Sequence, residues 1–291
     1  MANNSPILKT LAYSDVFDYP LEKEEIWKFL VGKIDRKEFE KGLDSLQHKS
    51  RFYFFSGRKE IVKKRIERKK ESEKKLELAT KIIQKLSLVP TVLFIGISGG
   101  LALENADEKD DIDLFVITSE GNLWITRLIL VFLLKLMGQY RGCGKKESQK
   151  VCLNMLIDEQ ALELKHHDLY TAHEIVQLKP MFDRDNVYNK FLSANEWVLR
   201  FLPNARIKNP HFAKASRGRH ESRIKENKKP LFIIHYSLFI LDKFAKTIQL
   251  NHMRKYRTTE TVSDKMLAFH PFEYREYVLK EYNKRLKQYE I

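Results

Sequence analysis

Two aspartates separated by a single residue, Asp111 and Asp113, open the apolar run "DIDLFVIT", and about ten residues earlier another apolar run ends in Ser98-Gly99-Gly100. Residues two apart on a strand project from the same face, so the two carboxylates are expected side by side. Like charges that close repel unless a proton or a cation joins them. A hard divalent ion, Mg²⁺ or Mn²⁺, is the natural partner, because Mg²⁺ takes one or two carboxylates together with substrate phosphates. The glycine pair complements this. A turn without Cβ atoms that leads into a short helix, "LALENA", lets backbone N–H groups approach phosphate oxygens closely. Each half has an ordinary explanation, a tight turn and a solvated strand end. Together they indicate a site in which Asp111 and Asp113 hold metal and Ser98, Gly99 and Gly100 meet phosphate. Asp110 is either a helper or a solvated neighbour.

Positioning these residues requires buried strands. "TVLFIGIS" is nearly continuous in apolar and β-branched residues, the pattern of a strand covered on both faces. "DIDLFVIT" and "KVCLNMLI" repeat it, with an apolar helix over residues 122–137 between them and a polar loop, "GQYRGCGKKESQK", after it. Strand, short helix, strand, helix, strand predicts an α/β sheet. Before it, residues 6–65 alternate helix signals with turns: a Ser cap and Pro in "SPILKTLAYSDVF", then "PLEKEEIWKFL", then "DRKEFEKGLDSLQHK" with Phe39, Leu43 and Leu46 on one face. A hairpin is expected in "RFYFFSGRKEIVKKR", turning at Ser56-Gly57. A charged connector helix follows, with Leu76, Leu78, Ile82, Ile83 and Leu86 as its apolar stripe and Pro90 as its stop. From about residue 163 the chain reads as helical throughout. The expected organisation is an N-terminal module (1–65), a connector helix (66–89), an α/β core (90–162) and a C-terminal all-α region (163–291).

The glycine pair, the spacing and Asp111-Ile112-Asp113-Leu114, set at strand-turn-helix and strand positions, resemble the motif of the nucleotidyltransferase superfamily, the polymerase β-like fold. The resemblance covers about residues 90–157. It implies a mixed sheet, a Gly99-Gly100 turn that holds a nucleoside triphosphate, and Asp111 and Asp113 as catalytic metal ligands. The implied reaction is attack of an acceptor on the α-phosphorus, with pyrophosphate leaving. Members commonly add a third carboxylate from a neighbouring strand. Here alternation puts Cys152, Asn154, Leu156 and Asp158 on one side of the third strand, and Asn154, polar in mid-strand, is expected in that place. A neutral amide cannot act as a base near pH 7.

The three helices and hairpin at the N-terminus resemble a winged helix-turn-helix. A small module for protein contacts or for covering the next domain fits the same order, and the third helix, carrying Asp35, Glu38, Glu40 and Asp44, is mixed in charge. His166, His167, His173 and Glu174 cluster at one helix start, but the spacing of His167 and His173 does not suit a metal on one face. They read as a polar helix N-terminus beside the sheet. Lys179, Arg184 and the basic stretch "HFAKASRGRHESRIKENKKP" read as solvated surface.

The 291 residues carry 53 Lys and Arg against 39 Asp and Glu, a net charge of +14 that favours polyanionic partners. Many lysines sit beside glutamates at helical spacing, so much of that charge reads as a solvated face. Cys143 and Cys152 form no metal-type pair and suggest no disulfide framework, and the N-terminus lacks the pattern of a signal peptide. The apolar stretches at 123–137 and 230–246 are short and interrupted by charge, so they predict buried helices and no membrane span. A cytoplasmic protein is expected, with a nucleoside triphosphate and an unidentified acceptor as partners. The alternative function is a regulatory protein that binds nucleic acid and only senses nucleotide.

Overall fold

The structure is a computed structural model that describes residues 5–141, 150–205, 228–254, 261–269 and 272–291, with backbone alone for 228–239 and 272–273. Cys143 and residues 211–227 of the basic stretch lie outside the described residues. The N-terminal segment forms α1 (Ser5–Asp15), β1 (Leu21–Glu22), α2 (Lys23–Lys28), α3 (Arg36–Asp44), β2 (His48–Lys49) and β3 (Phe52–Tyr53), the strands in the order β1-β3-β2. Asp35 starts α3 by accepting the N–H groups of Lys37 (2.8 Å) and Glu38 (2.9 Å).

The expected hairpin at Ser56-Gly57 does not form. The β2–β3 pair instead turns at Ser50, which takes a positive φ of 56°, and "EIVKKR" belongs to the next helix, α4 (Ile61–Leu86). Ile61 and Val62 are apolar neighbours that a helix can seat on Phe52 and Phe54, and the charged residues after them suit a helix better than a strand. Along α4 the buried stripe is Ser72, Lys75, Ala79, Ile82, Ile83 and Leu86, with Leu76 and Leu78 only half-buried.

The core follows as β4 (Val92–Ile97), α5 (Gly99–Ala102), β5 (Ile112–Thr118), α6 (Leu123–Leu136) and β6 (Val151–Asp158). Then come α7 (Leu169–Gln177), β7 (Lys179–Asp183), α8 (Val187–Ala194), a 3₁₀ turn (Glu196–Arg200), α9 (Lys228–Met253), β8 (Thr261–Val262), β9 (Met266–Ala268) and α10 (Phe272–Gln288). Six strands make one mixed sheet in the order β7-β4-β5-β6-β9-β8. β5 and β6 run parallel, joined by the α6 crossover, and the other paired neighbours run antiparallel. The chain is therefore mixed α/β.

The C-terminal region is not all-α, because β7, β8 and β9 extend the sheet on both sides. These strands escape a periodicity reading for a physical reason. β7 contains Pro180, tolerated because the strand lies at a sheet edge, and β8 and β9 are two and three residues long.

Helices cover both faces of the sheet. Phe94, Phe115, Ile117 and Ile157 join a core with residues of α1, α7, α8 and α10, while Ile95, Ile97, Leu114, Val116 and Leu156 join one with the end of α4, α6 and α9. Among the described residues no helix is long and apolar enough to cross a membrane.

Buried charge ties the distant segments together. Asp15, 4% exposed, accepts from Arg58 Nε (2.8 Å) and from Arg285 Nε (2.7 Å), joining α1 to the residues before α4 and to α10. Beside it the buried His173 of α7 stacks on Tyr13 of α1, with ring centroids 3.9 Å apart. Burial lowers the His173 pKa from 6.5 to about 3, so the folded protein holds it neutral.

An unfolded histidine takes up its proton near pH 6.5, but the folded one does not until about pH 3. Stability is therefore expected to fall by up to roughly 1.4 kcal/mol per pH unit as pH drops through that window. Urea unfolding of His173→Phe across pH 7 to 4 should lack this proton's share of the slope; an unchanged slope would refute the assignment. Asp15→Ala should cost about 1–3 kcal/mol, because it removes the buried carboxylate that Arg58 and Arg285 share while each keeps a second acid, Asp18 and Glu281. In that background Arg285→Met should cost less than it does in the parent protein, again by urea unfolding.

Candidate functional site

The register of β4 on β5 builds the site. Ile97 pairs with Leu114, and Ser98 N–H donates to Asp113 O (2.9 Å), so the chain must turn directly over Asp113. Gly99 makes that turn with φ of +63°, a left-handed conformation that favours glycine. A Cβ at residue 99 would stand 3.0 Å from Asp113 Oδ2. Glycine at this position and aspartate at 113 are thus one steric arrangement. At Gly100 a Cβ would meet only ordinary contact, 3.6 Å from Asn105 O.

The loop from Gly100 back to Asp111 is held by α4. Ser72 Oγ accepts Ala106 N–H (3.1 Å), and Lys75 Nζ donates to Glu108 O (3.2 Å) and to Asp110 O. Asp110 turns its carboxylate into the loop, accepting Asp107 N–H (3.0 Å). Asp111 lies at the end of this loop and Asp113 on β5, and both line one cavity of about 1020 Å³. Gly99, Gly100, Tyr13, Tyr170 and Tyr274 line the same cavity.

The aspartates are short of positive charge. Asp111 Oδ2 pairs with Arg141 (2.5 Å), but its Oδ1 is buried with no hydrogen-bond partner among the described residues. Burial raises the Asp111 carboxyl despite the nearby Arg141 guanidinium. Burial, and then the charge of Asp111, push Asp113 up to about 7. An orphaned carboxylate oxygen beside a carboxyl that resists ionisation can be satisfied by a proton or by a cation. The pair fits a Mg²⁺ ion that completes its shell with phosphate and water. It does not fit an all-protein cage, since among the described residues no three His, Cys, Asp or Glu side chains form a group that could hold a metal.

On β6 the expected alternation breaks. Asp113 pairs with Cys152, but Phe115 pairs with Met155, so one extra residue is inserted on β6. Cys152, Asn154, Leu156 and Asp158 therefore do not share a side. The place beside Asp113 belongs to Cys152, whose thiol hydrogen-bonds that carboxyl and is pushed up by burial and by the Asp113 charge. Asn154 sits under the glycine turn instead, donating from Nδ2 to Ser98 Oγ (3.3 Å), with Oδ1 unpartnered among the described residues. Asp158 takes a structural role, accepting Gly121 N–H (2.7 Å) and Gln160 N–H (2.8 Å).

The structure adds Glu174. It lies on α7, lines the same cavity, and burial followed by the charge of Asp113 pushes its carboxyl up to about 7. Its one sequence signal is that it is the only acid in "LYTAHEIVQ", a weak mark until the helix is docked. His173, its neighbour, points into the core, and His167 stacks on Trp197 at 4.3 Å and pairs with Glu163. Lys179 pairs with Glu104 (3.2 Å), and Arg184 donates to Pro90 O (2.5 Å) and Ser87 O (3.1 Å) beyond the end of α4.

Compared with known protein families, the chain matches no family model, and no curated protein matches it either. The chemistry of the site rests on its own geometry.

Gly99→Ala is expected to destabilise by about 1–2 kcal/mol from the left-handed backbone alone, with a further loss from crowding Asp113. In the Asp113→Ala background that further loss should vanish. Equal costs in both backgrounds, measured by chemical denaturation, would show that the two residues do not share the space.

Proposed function

We propose that this chain is a Mg²⁺-dependent nucleotidyltransferase with a polymerase β-like core, moving NMP from an NTP to an acceptor. The observation that carries the reading is the single cavity in which a glycine turn, an orphaned carboxylate oxygen and a second crowded carboxyl converge. The order β4-α5-β5-α6-β6, with one antiparallel and one parallel pairing, supports the same family resemblance. The N-terminal helices and small sheet go with a winged-helix-like module. Tyr13, Phe17 and Tyr19 from that module line the cleft, which favours a covering role.

In this reading Gly99 and Gly100 leave room for the triphosphate, and Ser98, tied to Asn154, keeps the turn in place. Asp111 and Asp113 would hold the Mg²⁺, which supplies charge neutralisation and Lewis-acid polarisation of phosphate oxygens when bound. Arg141, with its amide N–H anchored on Val151 O (3.1 Å), presents a guanidinium whose planar fork suits phosphate as well as carboxylate. The tyrosines exclude water from the reacting atoms and offer flat faces to an incoming ring.

One observation favours a second reading. A thiol beside Asp113 and a guanidinium on Asp111 would also suit a domain that binds nucleotide without turning it over, in a regulatory protein that binds nucleic acid.

Incubation with α-labelled NTPs, Mg²⁺ and a cell lysate should label an acceptor. Asp111→Ala and Asp113→Ala should each reduce labelling by roughly 100- to 1,000-fold. Undiminished labelling by both variants would sink the transferase reading. Steeply salt-dependent nucleic-acid binding with no transfer would favour the second one.

A further inference from the structure

Glu174 differs from every other acid of the cavity. Asp18 is paired with Arg58 and Lys64, Asp107 accepts Lys109 N–H (3.0 Å), and Asp110 accepts Asp107 N–H (3.0 Å). Asp111 meets Arg141, and Asp113 meets Cys152. Among the described residues no hydrogen bond or ion pair engages the Glu174 carboxylate. Helix α7 has no freedom to withdraw it, because His173 is stacked on Tyr13 and Ala172 and Ile175 are buried in the core. Glu174 is half-buried and lines the cavity, so its carboxylate, with no protein partner among the described residues, is open to a group that arrives with substrate.

We propose that Glu174 is the general base of the transfer, and that the acceptor group it serves is a hydroxyl. This rests on the transferase reading. As the acceptor oxygen bonds to the α-phosphorus, its proton passes to Glu174. The bond from that phosphorus to the bridging oxygen breaks, and pyrophosphate leaves with the electron pair. Glu174 then returns the proton to solvent. The other acceptor classes fit this wall poorly. A phosphate acceptor is already ionised, has no proton to surrender, and would be repelled by Glu174 and the aspartates. An ammonium would be held in its protonated, non-nucleophilic form by the same carboxylate. The β6 strand cannot supply the base, since Cys152 fills the place beside Asp113 and Asn154 is an amide tied to Ser98.

The test compares wild type with Glu174→Gln and Glu174→Asp. MgATP binding, by equilibrium dialysis, should stay within about twofold in all three, because the base contacts the acceptor and not the triphosphate. Transfer of label from [α-³²P]ATP and the other NTPs to lysate acceptor should fall roughly 100- to 10,000-fold in Glu174→Gln and recover in part in Glu174→Asp. The acid limb of the wild-type pH–rate profile should be missing in Glu174→Gln. The labelled bond should survive mild acid, as a phosphodiester does. Wild-type transfer rates in Glu174→Gln, loss of MgATP binding in that variant, an acid-labile phosphoramidate or a phosphoanhydride product would each overturn the inference. Failure of the wild type itself to transfer label from any of the four NTPs would overturn the transferase reading, and this inference with it.

Discussion

The carboxylate of Asp113 fills the space that a side chain at residue 99 would need. That one steric fact links strand pairing to the shape of the site. Antiparallel pairing of Ile97 with Leu114 brings the end of β4 over Asp113, and the chain can turn there only through a left-handed residue without a Cβ. Once the turn is set, the loop must return to place Asp111 immediately before β5, two residues ahead of Asp113. Lys75 and Ser72 fix that return from the buried face of α4, which is why a lysine and a serine interrupt an otherwise apolar stripe.

Charges in this protein follow two different rules. Those that hold segments together are satisfied: Asp15 lies between two arginines, and Glu25 is paired with Arg65 (2.8 Å). Three acids in the cleft are less well satisfied. Asp113 and Glu174 are both pushed up to about 7, by burial and then by a neighbouring acid, and Asp111 keeps an orphaned oxygen. The surplus of positive charge is a separate matter. Along α4 several lysines pair with glutamates on solvent-facing positions, such as Lys81 with Glu77 and Lys63 with Glu67, where each pair contributes little to stability.

Much of the architecture was legible because it depends on local pattern. The apolar runs of β4, β5 and β6, the largely apolar α6 and the long charged α4 are each long enough for periodicity to declare them. The misplaced hairpin shows the limit of that method. Two aromatic or β-branched runs around Ser-Gly look like paired strands, yet Ile61 and Val62 gain more by seating a helix on Phe52 and Phe54. Similarly, β7, β8 and β9 are recruited by unsatisfied sheet edges and carry almost no pattern of their own.

The site divides along the same line. Residue order alone marked the glycine turn and the paired aspartates, because each follows from a pattern within a few residues. Tertiary structure alone decided what surrounds them. A one-residue bulge on β6 exchanged Asn154 for Cys152 beside Asp113, and a bulge leaves little trace in composition because it is set by pairing with a neighbour. Other lining residues, Glu174, Tyr13 and Tyr274, come from segments far apart in the chain. Their meeting is dictated by the packing of α1, α7 and α10 on one sheet face, a global balance of burial that no short stretch of sequence contains.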